Sequence, residues 1–211
     1  MEVRNALISV TNKTRVVELS RSLEHLGIRI FSTGGTAKVL AAEGVRVTEV
    51  ATLTRLPEML DGRVKTLDYH IFGGILAMRG KPEHMAKIAE HSIVPIDLVV
   101  VNLYNFKAAV SQDGPLEELI ENIDIGGPSL LRAAAKNWQS VGAVVDPADY
   151  EALVAELEGN KGAAELSPET LYRLAAKVFR HTGEYDTFIG STLSTRDHTG
   201  KPAFGRARMF T

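Results

Sequence analysis

Ser32-Thr33-Gly34-Gly35-Thr36-Ala37 ends one apolar run and opens another of different period. On its amino side, Ile28-Arg29-Ile30-Phe31 alternates and is rich in β-branched residues, the pattern of a strand. On its carboxyl side, residues 37–43 carry helical spacing that stops at Gly44. Two adjacent glycines let the backbone turn tightly with no Cβ in the way, so free N–H groups and two hydroxyls aim at one point. That point suits a phosphate, although a Gly-Gly turn also serves as a plain connection in α/β proteins. A Walker A loop is excluded, because no Lys-Ser or Lys-Thr follows the glycines.

Outward from this turn, strands and helices alternate. Residues 5–10 read as a buried strand and 16–26 as an amphipathic helix ending at Gly27. Residues 45–50 alternate as a strand, and 83–90 read as a helix. The continuous apolar run at 97–101 predicts a strand covered on both faces. Helices follow at 117–121 and 128–137, with a further central strand at 141–145. This order predicts a three-layer α/β fold, a parallel sheet with helices on both faces. After Asp146 the pattern predicts three packing helices, at 147–158, 167–181 and 184–193, with a loop around 159–162. The expected division is an α/β core over 1–146, a helical extension over 147–194 and an irregular tail over 195–211.

Ligands of such sheets gather outside the carboxyl ends of the strands. Thr11-Asn12-Lys13, Thr33-Gly34-Gly35 and Asn102-Leu103-Tyr104 each follow a predicted strand, so all three fall on one rim. Two further passages carry charge. Gly62-Arg63-Val64-Lys65-Thr66-Leu67 sets two cations on alternate residues, on one side of an extended segment. In the stretch Asn122-Ile123-Asp124-Ile125-Gly126-Gly127-Pro128, a glycine pair and a proline open an alanine-rich helix, with Asp124 just ahead of its start. Ser129, Arg132 and Lys136 share one face of that helix. Glycine turns, paired cations and one lone acid describe a site for a small phosphorylated molecule.

Composition narrows the field. The chain has 211 residues, 45% of them hydrophobic and 24% charged, as in ordinary globular proteins. A formal net charge of −2 argues against a general nucleic-acid or membrane-surface binder. Without cysteine there are no disulfides and no thiolate metal sites. Neither a basic-then-apolar leader nor a membrane-length apolar run is present in the sequence, so cytoplasm is the expected compartment.

With Ser9-Val10-Thr11-Asn12-Lys13-Thr14, these passages resemble the IMP cyclohydrolase domain of the bifunctional purine-synthesis enzyme, from about Leu7 to about Ile189. Arg63-Val64-Lys65-Thr66-Leu67, the run from Asp124 to Asn137 and Asn102-Leu103-Tyr104 carry the resemblance. It implies a methylglyoxal-synthase-like fold with added carboxy-terminal helices. In that family an AICAR transformylase domain follows. This chain ends at Thr211 without room for one, so either a stand-alone cyclohydrolase or part of a longer protein is expected.

The resemblance implies closure of formyl-AICAR to inosine monophosphate: the carboxamide nitrogen attacks the formyl carbon and water leaves. Such chemistry needs proton transfer and charge stabilisation on the formyl oxygen, and no cofactor or metal. By the resemblance, Lys136 is the proton donor/acceptor, Lys65 a second cation, Asp124 the base or orienting acceptor, and Tyr104 a donor to the oxyanion. Plainer readings stay open: a helix-end lysine, an edge-strand lysine, a helix-capping acid and a core tyrosine. Thr11, Asn12, Lys13, Thr33, Gly34, Gly35, Thr36, Arg63 and Val64 match nucleotide-binding positions. Thr66, Asn102, Leu103, Ile125 and Gly126 match positions near ribose or base. A homodimer and a separate transformylase are partners the sequence leaves open. So are two other functions, a nucleotide-sensing regulatory module and a phospho-sugar lyase. The chain departs from the family's histidine-containing loop at Asp68 and Phe72, and has Asn105 where proline is usual.

Overall fold

The computed structural model describes residues 1–56, 59–60, 63–111, 114–159 and 163–203. Residues 160–162 of the loop expected around 159–162, the part of the expected tail beyond 203, and Gly62 lie outside the described residues. Five parallel strands form one sheet in the order β3-β2-β1-β4-β5. They are β1 (Asn5–Val10), β2 (Arg29–Ser32), β3 (Val47–Glu49), β4 (Leu98–Asn102) and β5 (Gly142–Val144). The helices are α1 (Val16–His25), α2 (Gly34–Ala42), α3 (Ala51–Thr54), α4 (Tyr69–Leu76), α5 (Pro82–Glu90), α6 (Phe106–Ser111), α7 (Leu116–Glu121), α8 (Gly126–Lys136), α9 (Tyr150–Gly159) and α10 (Pro168–Ser194).

Alternate residues of the central strands feed two cores, because successive side chains on a strand point to opposite faces. Ala6, Ile8, Leu98 and Val100 pack with Leu19 and Leu23 of α1 and Leu153 and Leu157 of α9. Leu7, Val99 and Val101 pack on the other face with Ile71 and Ile75 of α4 and Leu130, Leu131 and Ala134 of α8. The register sets Ala6 against Leu98 and Leu7 against Phe31, and Ala6, Leu7 and Ile8 in the middle of β1 are fully buried. This is the three-layer α/β arrangement the strand-helix alternation predicts.

Several boundaries differ. Helices α2 and α8 take in their glycine pairs, starting at Gly34 and Gly126 instead of at Ala37 and Pro128. Strand β3 covers only the middle of the expected 45–50 segment. The two helices expected at 167–181 and 184–193 are one, α10. Gly183 does not break it, since neighbouring Thr182 is fully buried and tertiary packing outweighs the roughly 1 kcal/mol helix cost of glycine. Leu171 and Leu174 join one core while Ala175 and Val178 join the other. The extension is thereby part of the main packing.

Buried polar groups close the fold away from the strand carboxyl ends. Asp97 Oδ2 accepts the Arg4 and Asn5 N–H groups, and Arg79 reaches Asp97 Oδ1 at 3.3 Å. Asn137 donates to the Ile75 and Ala77 carbonyls at 2.7 and 3.0 Å, tying the end of α8 to the end of α4.

Candidate active site

A cavity of about 690 Å³ opens at the carboxyl ends of β1, β2 and β4. Between β1 and β4 the strand order reverses, the place where open α/β sheets bind ligands. Its volume lies in the ordinary range for small-molecule sites.

One wall gathers the start of a helix and two ammonium groups. Thr33 follows β2 as the N-cap of α2, and Gly34 opens that helix with φ +56°, a left-handed conformation that glycine adopts without strain. The first-turn N–H groups of a helix have no partners within it and favour negative charge. Two ammonium groups stand at this wall. Lys65 Nζ comes so close to Gly34 that a Cβ there would meet it at 2.9 Å. Lys13 Nζ bonds the Val10 carbonyl and Thr36 Oγ1. Burial holds the Lys13 pKa below its ordinary value, and a nearby negative charge would act in the opposite direction by favouring the ammonium form. Thr36 is itself buried, its hydroxyl donating to the Val10 carbonyl and accepting the Val10 N–H. It is a brace for the wall.

The opposite wall is built on the start of α8. Asp124 Oδ1 accepts the Gly127 N–H at 2.8 Å, and a Cβ on Gly127 would collide with Asp124 Oδ2 at 2.4 Å. The glycine is thus required by the approach of the carboxylate. Burial pushes the Asp124 pKa up, while hydrogen bonding from the Gly127 and Tyr104 backbone pulls it partly back. Tyr104 follows β4 and is 51% exposed at the mouth, unlike a core tyrosine. Thr66 Oγ1 lies beside Gly126, with 3.2 Å left for a Cβ. Consecutive residues Lys65 and Thr66 therefore touch the two walls.

The cavity lining brings together Thr11, Lys13, Thr33, Gly34, Gly35, Thr36, Arg63, Lys65, Thr66, Asn102, Tyr104, Asp124, Ile125 and Gly126. Asn102 also holds the loop after β1: its Oδ1 accepts the Thr11 and Asn12 N–H groups at 2.7 and 2.8 Å. Four expected residues do not line the cavity. Asn12 turns back on Thr14, accepting both its N–H and hydroxyl. Leu103 is in the core, and Val64 pairs with Met59 in a short bridge.

Lys136, the expected proton donor, is the fourth. It sits exposed in the last turn of the 11-residue α8, about 15 Å of helix rise from the Gly126 end. Its helix face also carries Arg132, whose guanidinium lies over the Phe179 ring of α10. That face looks along the extension.

Sequence reasoning missed Glu121 and Tyr185. Glu121, at the end of α7, lines the cavity and pairs there with Arg63. The Tyr185 hydroxyl accepts the Asp124 N–H at 2.9 Å from α10. Only the acidic character of 117–121 offered a signal for the first; nothing local offered one for the second. Asp68 caps α4 by accepting the His70 N–H at 2.7 Å, and Phe72 packs against the core, so neither departure from the family loop faces the cavity.

The sheet order and the glycine-opened helices define a parallel α/β domain with its cavity at the strand carboxyl ends, where two ammonium groups stand. The chain belongs to the MGS-like domain family, whose model matches residues 15–129. A second model, the AICARFT/IMPCHase bienzyme, matches residues 134–209. Bifunctional purine biosynthesis protein PurH of Neisseria meningitidis serogroup A / serotype 4A is 52% identical over 207 residues, 96% of this chain and 39% of that protein. PurH of Neisseria gonorrhoeae strain FA 1090 is similar at the same identity and coverage. The chain therefore spans about 39% of the length of these curated relatives. Among solved structures, the crystal structure of ForH matches with a TM-score of 0.77 at 34% identity, over 89% of this chain and 97% of that one.

Proposed function

We propose that this chain is an IMP cyclohydrolase, closing formyl-AICAR to inosine monophosphate with loss of water. The observation that carries the reading is the pairing, in one cavity, of an anion cradle with a buried carboxylate on the facing wall. Similarity to PurH across nearly the whole chain supports the same activity.

In this reading the 5′-phosphate rests on the Gly34-Gly35 turn, with Lys13 as counter-charge. The imidazole ring spans the cavity toward Asp124. Attack and acceptor groups already share one molecule, so selecting the reactive conformer is the binding site's main contribution. Asp124 accepts a proton from the carboxamide nitrogen as it attacks the formyl carbon. Lys65 and Tyr104 stabilise the developing oxyanion and protonate it as water departs. In this reading Lys65, which lines the cavity, takes the cationic role within one chain, and Lys136, which does not line it, is left out of that chain's chemistry. No step draws on a metal or cofactor.

Substrate here is a purine nucleotide; a second copy of the chain and a transformylase supplying the formyl group are the partners this reading accommodates. Among the described residues no helix is long and apolar enough to cross a membrane, and cytoplasm is the compartment the metabolic reading expects. A regulatory nucleotide-binding module would need the cradle alone, whereas a phospho-sugar lyase would accept a phospho-sugar without a base. The deciding experiment incubates purified chain with formyl-AICAR and follows purine absorbance. Turnover supports the cyclohydrolase; IMP binding without turnover favours the regulatory module.

A further inference from the structure

Helix α10 reaches the site through one side chain. Tyr185 projects from its second half, and its hydroxyl accepts the Asp124 N–H at 2.9 Å. That bond holds the residue two positions before the start of α8, where the backbone leaves Ile123 and turns into the helix. The Tyr185 ring packs edge-on against Phe106, 6.5 Å between centroids, and Phe106 packs in the same way on Phe188 at 6.0 Å. Phe106 is fully buried two residues beyond Tyr104, and its N–H bonds the Tyr104 carbonyl at 2.9 Å. One aromatic cluster therefore grips both segments that present the site's acid and phenol.

We propose that Tyr185 is a positioning residue for the reaction, holding the Asp124 carboxylate at the distance from Gly127 and Tyr104 that makes it a competent base. This inference rests on the cyclohydrolase reading. Its physical basis is the narrow geometry at Asp124. The carboxylate already fills the space a Gly127 Cβ would need, so a small rotation of the 123–125 backbone would break its 2.8 Å bond to the Gly127 N–H. The Asp124 N–H, deprived of the phenol oxygen, would have to find another acceptor in a half-buried setting. Burial raises the Asp124 pKa and the two backbone donors lower it. Releasing those donors moves it further up. The titratable groups around the carboxylate are Tyr104 and Tyr185, with Lys65, Arg63 and Glu121 lining the same cavity.

Tyr185→Phe tests this by deleting one oxygen and keeping the ring on Phe106. We expect turnover to fall about tenfold with KM changed less than about twofold, the signature of a group acting on the transition state. The acid limb of turnover should move to higher pH. Phe188→Leu loosens the same cluster without touching the hydroxyl, so it should lower the thermal midpoint and leave the acid limb in place. In the unaltered chain, the Asp124 amide should exchange with solvent more slowly than the exposed amides of the neighbouring turn. Wild-type turnover retained within twofold by Tyr185→Phe with an unmoved limb, equal shifts in Phe188→Leu, or fast exchange at Asp124 would each overturn the assignment. An unaltered chain that binds IMP but does not turn over formyl-AICAR would instead count against the cyclohydrolase reading.

Discussion

Lys65 covers Gly34: the space a Cβ would occupy on the first residue of α2 is held by the Lys65 ammonium, 2.9 Å away. The glycine's positive φ and the lysine's approach are one device, since any side chain at 34 would be both strained and in the way. Gly34→Ala should therefore weaken IMP binding by about tenfold or more, through a displaced ammonium and a reshaped helix start. Lys65→Met should weaken binding and slow turnover as well. Calorimetric titration with IMP reads the first effect and single-turnover kinetics the second. Unchanged affinity in Gly34→Ala would place the phosphate elsewhere.

Asp124 sets the pH dependence. Burial raises its pKa above the ordinary 3.8, so the ionised base is lost as pH falls through a point higher than a surface aspartate would give. Turnover should drop on the acid side at that raised value. The sign for stability is opposite: a carboxyl with a raised folded pKa favours the protonated form, and its stabilising contribution fades as pH rises through that pKa. Asp124→Asn retains an oxygen for the Gly127 N–H. It should cost turnover about 10²-fold, the scale of a lost general base, while the thermal midpoint at neutral pH stays level or rises. A variant with normal turnover would remove Asp124 from the chemistry.

Lys136 separates what a motif supplies from what distance allows. The family motif assigns it the proton, yet α8 carries it to the end remote from the cavity. For one chain acting alone, Lys136→Ala should keep IMP affinity within about twofold and lose less turnover than Lys65→Met. A hundredfold loss, restored on mixing with Asp124→Asn, would mean that a second copy delivers Lys136 to the site.

Asp68 has a structural task in place of the family histidine. It caps α4, and caps of this kind contribute about 1 kcal/mol. Asp68→His should lower the thermal midpoint by a few degrees and leave turnover unchanged at temperatures where the chain is folded. A rise in turnover would show that the histidine loop acts from a position this geometry does not give it.

The sequence exposed those parts of the site whose chemistry is local. The Thr33-Gly34-Gly35 turn and Asn102 follow strands that announce themselves by apolar runs, and the sheet then brings them together. Lys65 and Asp124 were legible from motif and charge. Tyr185 was not, because its role depends on a contact 61 positions away in the chain. Glu121 was hidden among other acids of α7, and its pairing with Arg63 is likewise long-range. The unbroken α10 was misread for a related reason: Gly183 looks like a boundary until Thr182 and Tyr185 find their packing partners.

The two family models meet inside α8, one ending at residue 129 and the next beginning at 134. Yet Leu130, Leu131 and Ala134 of that helix share one core with Leu7 and Val99 on one side of the seam and Ala175 and Val178 on the other. Parting the chain there would strip both pieces of the same interior. The two blocks should consequently melt as one cooperative unit, with calorimetric and van't Hoff enthalpies that agree.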